Sequence, residues 1–177
     1  EPGAIAIHVS PSHGELACLF AAADAAATRA EIEALDDTTF CTAYIKLLRL
    51  LKERYPDAVC SLTYRDPLQL LIATRLSAQC TDARVNLVTP ALFKRYPTLD
   101  AFAEADPEEV GEYIRSCGLY KTKARDIVAM ARMLRSDFGG QVPDTVEELT
   151  KLPGVGRKTA NLVCGDIYGK PAVVTDT

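Results

Sequence analysis

The sequence of 177 residues contains no closely spaced pair of cysteines. Neighbouring cysteines are at least 19 residues apart, so neither a C-x-x-C pair nor another compact metal-binding spacing is present. The six are Cys18, Cys41, Cys60, Cys80, Cys117 and Cys164. Single cysteines spread along a mostly helical chain are typical of reduced, buried thiols in a cytoplasmic or nuclear protein. We therefore expect no metal site in this chain.

Long apolar segments and internal repeats are also missing. The Ala-rich stretch 16–27 is interrupted by Asp24 and follows acidic residues. It lacks both the basic start of a signal peptide and the length of a membrane span. The sequence therefore predicts a globular protein that does not enter membranes, with a length that suits one domain or slightly more.

Basic residues are in slight deficit, with 20 Lys and Arg against 24 Asp and Glu and a net charge of -4. Residues 1–39 carry seven of the acidic residues and one basic residue, so the remainder holds 17 acidic and 19 basic residues. The acidic excess therefore lies in the N-terminal segment. A weakly basic body is compatible with DNA binding, although it does not require it.

Alternation with a period of two is absent until residues 172–174, so we expect an all-α fold of about six helices. Asp66-Pro67 has the form of a helix start, and the apolar run 68–73 suits a central buried helix. Helical spacing also predicts helices over 40–55, around 85–93, from 106 to Gly118 and over 122–138. The predicted core includes Leu70, Leu71, Ile72, Ile127, Val128, Leu149 and Val163.

A helix–hairpin–helix is predicted near the C-terminal end. Residues 144–147 have the form of a capping box that opens a short helix to about Lys151, and a second helix follows from about 157 to 168. The turn between them contains Gly154 and Gly156, which allow outward-facing amides and a close backbone approach. Such amides at a helix N-terminus bind an anion, for example a DNA phosphate. On the turn alone, a simple helix connection capped by glycines explains the pattern equally well.

Four motifs in order resemble those of the endonuclease III family. Residues 76–82 (LSAQCTD) are similar to its LSAQ-x-TD motif, and residues 118–124 (GLYKTKA) to its GLY-x-x-KA loop. Residues 152–161 (LPGVGRKTAN) resemble its signature hairpin, and residues 174–177 (VTDT) its VDT motif. The resemblance covers about residues 40–177. It implies base-excision DNA repair by a DNA N-glycosylase and AP lyase that removes oxidised pyrimidines from double-stranded DNA.

The resemblance also implies a domain organisation. Residues 59–177 would form a six-helix barrel domain with the hairpin at 145–168, and residues 40–58 a helix of a second, cluster-bearing domain. Residues 1–39 fall outside the resemblance and are expected to be a poorly ordered extension or an Ala-rich helix. A cytoplasmic, nucleoid-associated bacterial protein is the corresponding expectation.

By this resemblance, Lys158 is the amine nucleophile and Asp176 the catalytic carboxylate. The positive end of the hairpin helix and the neighbouring Arg157 favour the neutral, nucleophilic form of the Lys158 amine. Asp176 follows 18 residues later. A helix of about ten residues carries the chain ~15 Å away, and about seven extended residues can return ~23 Å, so Asp176 can reach the nucleophile. Thr175 replaces the usual valine of the motif.

The resemblance assigns DNA contacts to two loops and to the hairpin. Gln79 and Leu119 would fill the space left by a base that has turned out of the helix, since an enzyme acting on a base must unstack it. The hairpin residues expected to contact DNA are Gly154, Val155, Gly156, Arg157 and Thr159.

The sequence departs from the family pattern at its C-terminal end. Members of the family continue with a histidine, further helices and a four-cysteine loop that holds a [4Fe–4S] cluster. We expect the cluster in the full-length family protein, none in this chain, and a missing C-terminal domain as its partner. Because family members bind DNA between the two domains, we expect little or no activity from this chain by itself.

The apolar stripe of the helix at 40–55 would normally pack on that missing domain. It consists of Phe40, Tyr44, Ile45, Leu48 and Leu51. A large apolar side chain that is exposed rather than buried contributes about 1.5–3 kcal/mol less to the free energy of unfolding. We therefore expect this chain alone to be marginally soluble, to self-associate through the helix, or to have the helix frayed.

Two other functions compete with a glycosylase/lyase. A non-catalytic helix–hairpin–helix module would bind DNA without forming a Schiff base. A monofunctional glycosylase of the adenine-removing branch usually lacks a lysine at the position of Lys158, so the sequence disfavours it. Borohydride trapping on damaged DNA separates these possibilities.

Overall fold

A computed structural model describes residues 49–50, 53–56, 59–170 and 172. The described residues fall into two compact units, one that begins at residue 60 and one that ends at residue 59. In the second unit, residues 49–50 and 53–54 are helical. The predictions for residues 1–39, for the apolar stripe at 40–55 and for Asp176 concern residues outside the described ones.

Seven helices lie between residues 60 and 170, and the described residues contain no strand, which confirms the all-α prediction. The helices are α1 (Pro67–Ser77), α2 (Asp82–Arg95), α3 (Leu99–Glu104), α4 (Pro107–Tyr113), α5 (Tyr120–Asp137), α6 (Val146–Leu149) and α7 (Arg157–Asp166). None of the described helices is long and apolar enough to cross a membrane.

Helix α1 is the central element of the described unit. Asp66 caps it by accepting a hydrogen bond from the Gln69 backbone N–H at 2.9 Å, and Pro67 occupies its first turn, as the sequence predicts. Its apolar side chains are fully buried from Leu70 to Ala73 and at Leu76. The helix packs against α2, α5 and α7. The loops that contain Gln79 and Leu119 and the hairpin are therefore all positioned by one core helix.

The second layer of the core is formed by α5 with α3 and α4. The Phe102 ring of α3 lies 5.2 Å from the Tyr96 ring and 6.4 Å from the Phe93 ring, between centroids, which closes the end of this layer. All predicted core residues are at most 1% exposed. They are Leu70, Leu71, Ile72, Ile127, Val128, Leu149 and Val163.

Several predicted boundaries were wrong. Helix α3 was not predicted, α4 ends at Tyr113 rather than at Gly118, and α5 begins two residues earlier than expected. Short helices carry too few apolar positions for the spacing to be recognised.

The start of α6 also differs from the sequence prediction. Thr145, not Asp144, is the cap, because its hydroxyl oxygen accepts from the Glu148 N–H at 3.3 Å and its hydroxyl donates to the Glu148 carboxylate at 3.1 Å. Asp144 instead pairs with Lys170 at 2.7 Å. At the other end of the hairpin, α7 stops at Asp166 instead of residue 168.

Candidate functional site

The hairpin turn between α6 and α7 is anchored by apolar side chains while its backbone faces outward. Leu152 and Val155 are buried, and the Val155 N–H donates to the Leu152 carbonyl oxygen at 3.1 Å. Gly154 and Gly156 are exposed. Gly156 is the N-cap of α7 and supplies no side chain to its first turn. The backbone N–H groups in the first turn of α7 therefore have no side-chain cap and are available to an external acceptor.

Gly154 lies directly against an ion pair that joins α1 to α5. Arg75 donates to Asp126 Oδ2 through Nε at 3.0 Å and through Nη2 at 2.6 Å. A Cβ on Gly154 would lie 2.5 Å from Arg75 Nε and 2.8 Å from Asp126 Oδ2, and the glycine has a φ of +73°. The sequence indicated a close backbone approach at the turn, but it did not identify this pair as the group approached.

Lys158 is the second residue of α7, and its side chain is exposed, like that of Arg157. The opposite face of the helix is buried at Ala160 and Val163, so the amphipathic pattern of α7 turns Lys158 outward. Within the described residues Lys158 forms no ion pair. Thr159 is partly buried beside it. A lysine so placed is accessible to a ligand that contacts the turn.

Gln79 and Leu119 occupy two loops that lie next to each other. Gln79 belongs to the connection from α1 to α2, and Leu119 to the connection from α4 to α5. Both are exposed and have left-handed backbones, with φ of 54° and 50°. A Cβ built on Gly118 would lie 3.8 Å from the Gln79 carbonyl oxygen. The fold thus brings together the two loops that the family resemblance assigns to DNA.

Beneath these loops lies a lysine that the sequence analysis did not single out. Lys123 is fully buried, and its Nζ donates to the carbonyl oxygens of Leu76 at 2.7 Å and Cys117 at 2.5 Å. Burial lowers the pKa of Lys123, and Arg75 lowers it further, while the thiols of Cys80 and Cys117 act in the opposite direction. The sequence signal was available, because Lys123 shares an apolar helix face with Ile127 and Met130.

The described cysteines do not form a metal site. Cys60, Cys80, Cys117 and Cys164 are free, and no group of three or more potential ligands is found among the residues that the structure describes. Burial raises the pKa of the Cys117 thiol to about 11, assisted by the adjacent Cys80. Because no three of the described cysteines converge, they do not fit an iron–sulfur cluster, which requires converging thiolates.

Comparison with known proteins places this geometry in a family. Residues 72–177 match the model of the HhH-GPD superfamily base excision DNA repair protein. The chain belongs to this superfamily. Its helix–hairpin–helix fold, implied by the sequence motifs, is thereby confirmed.

The chain is similar to curated endonuclease III proteins. It is 52% identical to that of Synechocystis sp. over 130 residues, which are 73% of this chain and 59% of the relative. The identity to that of Bacillus subtilis is 46% over 125 residues, 71% of this chain and 57% of the relative. The chain thus spans less than two thirds of the length of these relatives. A solved structure of a non-covalent endonuclease III–DNA complex matches with 47% identity and a TM-score of 0.72, over 77% of this chain and 64% of that one.

Proposed function

We propose that the protein is a bifunctional DNA glycosylase and AP lyase that removes oxidised pyrimidines from double-stranded DNA and then cleaves the strand 3′ to the abasic site. The observation that carries the proposal is the exposed Lys158 in the first turn of α7, directly after the uncapped Gly154–Gly156 turn. An endonuclease III bound to DNA is among the similar solved structures. Membership of a base-excision repair superfamily supports a catalytic role for this lysine.

Lys158 acts as the nucleophile in this proposal. Its neutral amine attacks C1′ of the damaged nucleotide, so that the N–C1′ bond forms as the glycosidic bond breaks and the base departs with a proton. The sugar ring opens to a Schiff base. Loss of a C2′ proton then expels the 3′ phosphate, which is the strand break, and water hydrolyses the Schiff base to release the unsaturated aldehyde and restore the Lys158 amine. Asp176 is proposed to stabilise the positively charged sugar or to assist the proton transfers.

In this proposal the hairpin binds the DNA backbone without reading its sequence. A phosphate is proposed to bind the outward amides around Gly154, Val155 and Gly156, with Arg157 and Thr159 beside it. Val155 is buried and its N–H donates to the Leu152 carbonyl oxygen, so its part in this proposal is to shape the turn whose neighbouring amides face the phosphate. Contacts of this type carry no sequence information, which suits an enzyme that must act at any position of the genome.

Gln79 and Leu119 supply the second contact, at the lesion itself. The exposed amide of Gln79 can hydrogen bond to the base left without a partner, and the Leu119 side chain, 64% exposed, can fill the space in the stack. An apolar wedge between base steps is a common way to stabilise an unstacked duplex. The adjacency of their loops allows both residues to act at one base pair.

Two further features are proposed from the family resemblance. A [4Fe–4S] cluster belongs to the full-length family protein, and no described residue of this chain is assigned to it or to a step through it. We also propose a nucleoid-associated protein of a bacterial cell, since the proposed substrate is DNA and the similar endonuclease III proteins are bacterial.

The proposal is tested with duplexes that contain one oxidised thymine, incubated with the full-length protein. The expected product is a strand cut 3′ to the lesion that ends in an unsaturated sugar aldehyde. Binding without cleavage would instead identify a non-catalytic helix–hairpin–helix module. Release of a base without any strand cut would identify a monofunctional glycosylase.

A further inference from the structure

The Lys123 ammonium joins two backbone segments that are distant in sequence. The Leu76 carbonyl belongs to the last turn of α1, three residues before Gln79, and the Cys117 carbonyl lies two residues before Leu119. The last carbonyls of a helix have no partner within the helix, and a cation there is favourable. One side chain therefore provides a partner for both segments.

The bonding of Lys123 is unusual for a buried lysine. Fully buried lysines generally pair with a carboxylate, but Lys123 forms no ion pair among the described residues. The charged or titratable neighbours that face it are the Cys80 and Cys117 thiols and the Arg75 guanidinium. Its positive charge is therefore compensated by the dipoles of two backbone carbonyls, that of Leu76 at the end of α1 and that of Cys117 in a loop. Burial of the charge in this way has a cost that an apolar residue of the same volume would avoid.

We propose that Lys123 is a positioning residue that fixes the spacing between Gln79 and Leu119, so that both side chains enter the duplex at the same base pair. Both residues have left-handed backbones, a conformation that persists only where the surrounding structure determines it. The Lys123 bonds constrain the chain immediately before each of them. The inference depends on the proposed function only for the step that the two residues perform on DNA.

The direct test is Lys123→Met in the full-length protein, which removes the donors and the charge at similar volume. Lys121→Met is the matched control, because Lys121 lies on the same helix and is exposed. Amide hydrogen exchange, measured without DNA, should rise at residues 78–80 and 117–120 in Lys123→Met and remain unchanged in Lys121→Met. Unchanged exchange at both loops in a folded Lys123→Met protein would overturn the inference.

Binding supplies a second readout. The preference for a duplex with an abasic-site analogue over an undamaged duplex should fall about tenfold in Lys123→Met and by a similar factor in Leu119→Ala, with little change in binding to undamaged DNA. The double variant should lose no more than either single variant, because residues that act as a unit are non-additive. Additive losses would contradict a role through Leu119. Absence of any such preference in the unsubstituted protein would refute the proposed function, while the exchange result would still test Lys123.

Lys123→Gln retains two N–H donors and separates positioning from stability. It should recover part of the protection at both loops and part of the preference for the abasic-site analogue. If Lys123→Met does not unfold cooperatively, Lys123→Gln takes its place in both measurements, with a partial effect expected. Failure of both variants to fold would assign Lys123 to the fold itself and overturn the positioning role.

Discussion

Gln79 and Leu119 have the same left-handed backbone conformation, with φ of 54° and 50°, on two loops that meet at Gly118. In the described part of the chain they are the two non-glycine residues with a positive φ. This conformation costs an L-residue about 1–2 kcal/mol, more than glycine pays. Backbone strain at two exposed residues on adjacent loops indicates a site shaped for binding rather than for stability.

Leu119→Gly should therefore leave the free energy of unfolding unchanged or raise it by up to about 1 kcal/mol, since it relieves the left-handed strain. The same variant should lose its preference for lesion-containing DNA. Denaturant unfolding and competition binding measure the two quantities.

Leu87→Gly is the matched control for this substitution. Leu87 is also an exposed leucine, at 71%, but it lies within α2. Glycine there should cost about 1 kcal/mol through helix propensity and should not alter lesion preference. Equal destabilisation by both substitutions would show that the Leu119 backbone is not strained.

Gly154→Ala should destabilise the protein by about 2 kcal/mol or more, because the added methyl group meets Arg75 and Asp126 and the backbone has a positive φ. Gly156→Ala should cost about 1 kcal/mol or less, since a Cβ there meets nothing within 4 Å. Thermal unfolding of the two variants checks this difference. A Gly156→Ala protein that is as unstable as Gly154→Ala would contradict the described turn.

Stability should fall at alkaline pH, in part because of Cys117. Its pKa is raised from 9.0 to about 11 in the folded state, so between these values the unfolded chain loses a proton that the folded chain retains. Stability from this group is complete below pH 9 and is lost as the pH rises towards 11, by up to about 2–3 kcal/mol. Cys117→Ala should show a shallower loss over this range than the unsubstituted protein and a parallel profile from pH 6 to 8. Parallel profiles up to pH 11 would refute the assignment.

The sequence predicted the helices that have strong local signals. Asp66-Pro67 fixes the start of α1, and the all-round apolar run after it predicts a buried helix, as observed. Helix α3 escaped prediction because its six residues give less than two turns of periodicity. The cap of α6 was shifted by one residue because Asp144 and Thr145 both suit an N-cap, and the Lys170 partner of Asp144 is 26 residues away.

The candidate site was also predicted only in part, through its motif residues and not through its long-range contacts. Lys158, Gln79 and Leu119 were named from motifs, and the structure shows each of them exposed. The Arg75–Asp126 pair beneath Gly154 and the Lys123 bond to Leu76 were not predicted, since they join residues 51 and 47 positions apart. Long-range partners of this kind depend on how the helices pack, which periodicity does not specify.

The central claim, that Lys158 is the nucleophile of a DNA glycosylase and lyase, is tested most directly by borohydride trapping followed by mass spectrometry of the cross-linked peptide. The full-length protein is incubated with a duplex containing an abasic site and reduced, and the modified lysine is identified. We expect one covalent adduct, on Lys158, which disappears in Lys158→Ala while binding to DNA is retained. Lys151→Ala, a change at another exposed lysine of the hairpin, should trap normally. An adduct on a different lysine, or undiminished trapping in Lys158→Ala, would contradict the account.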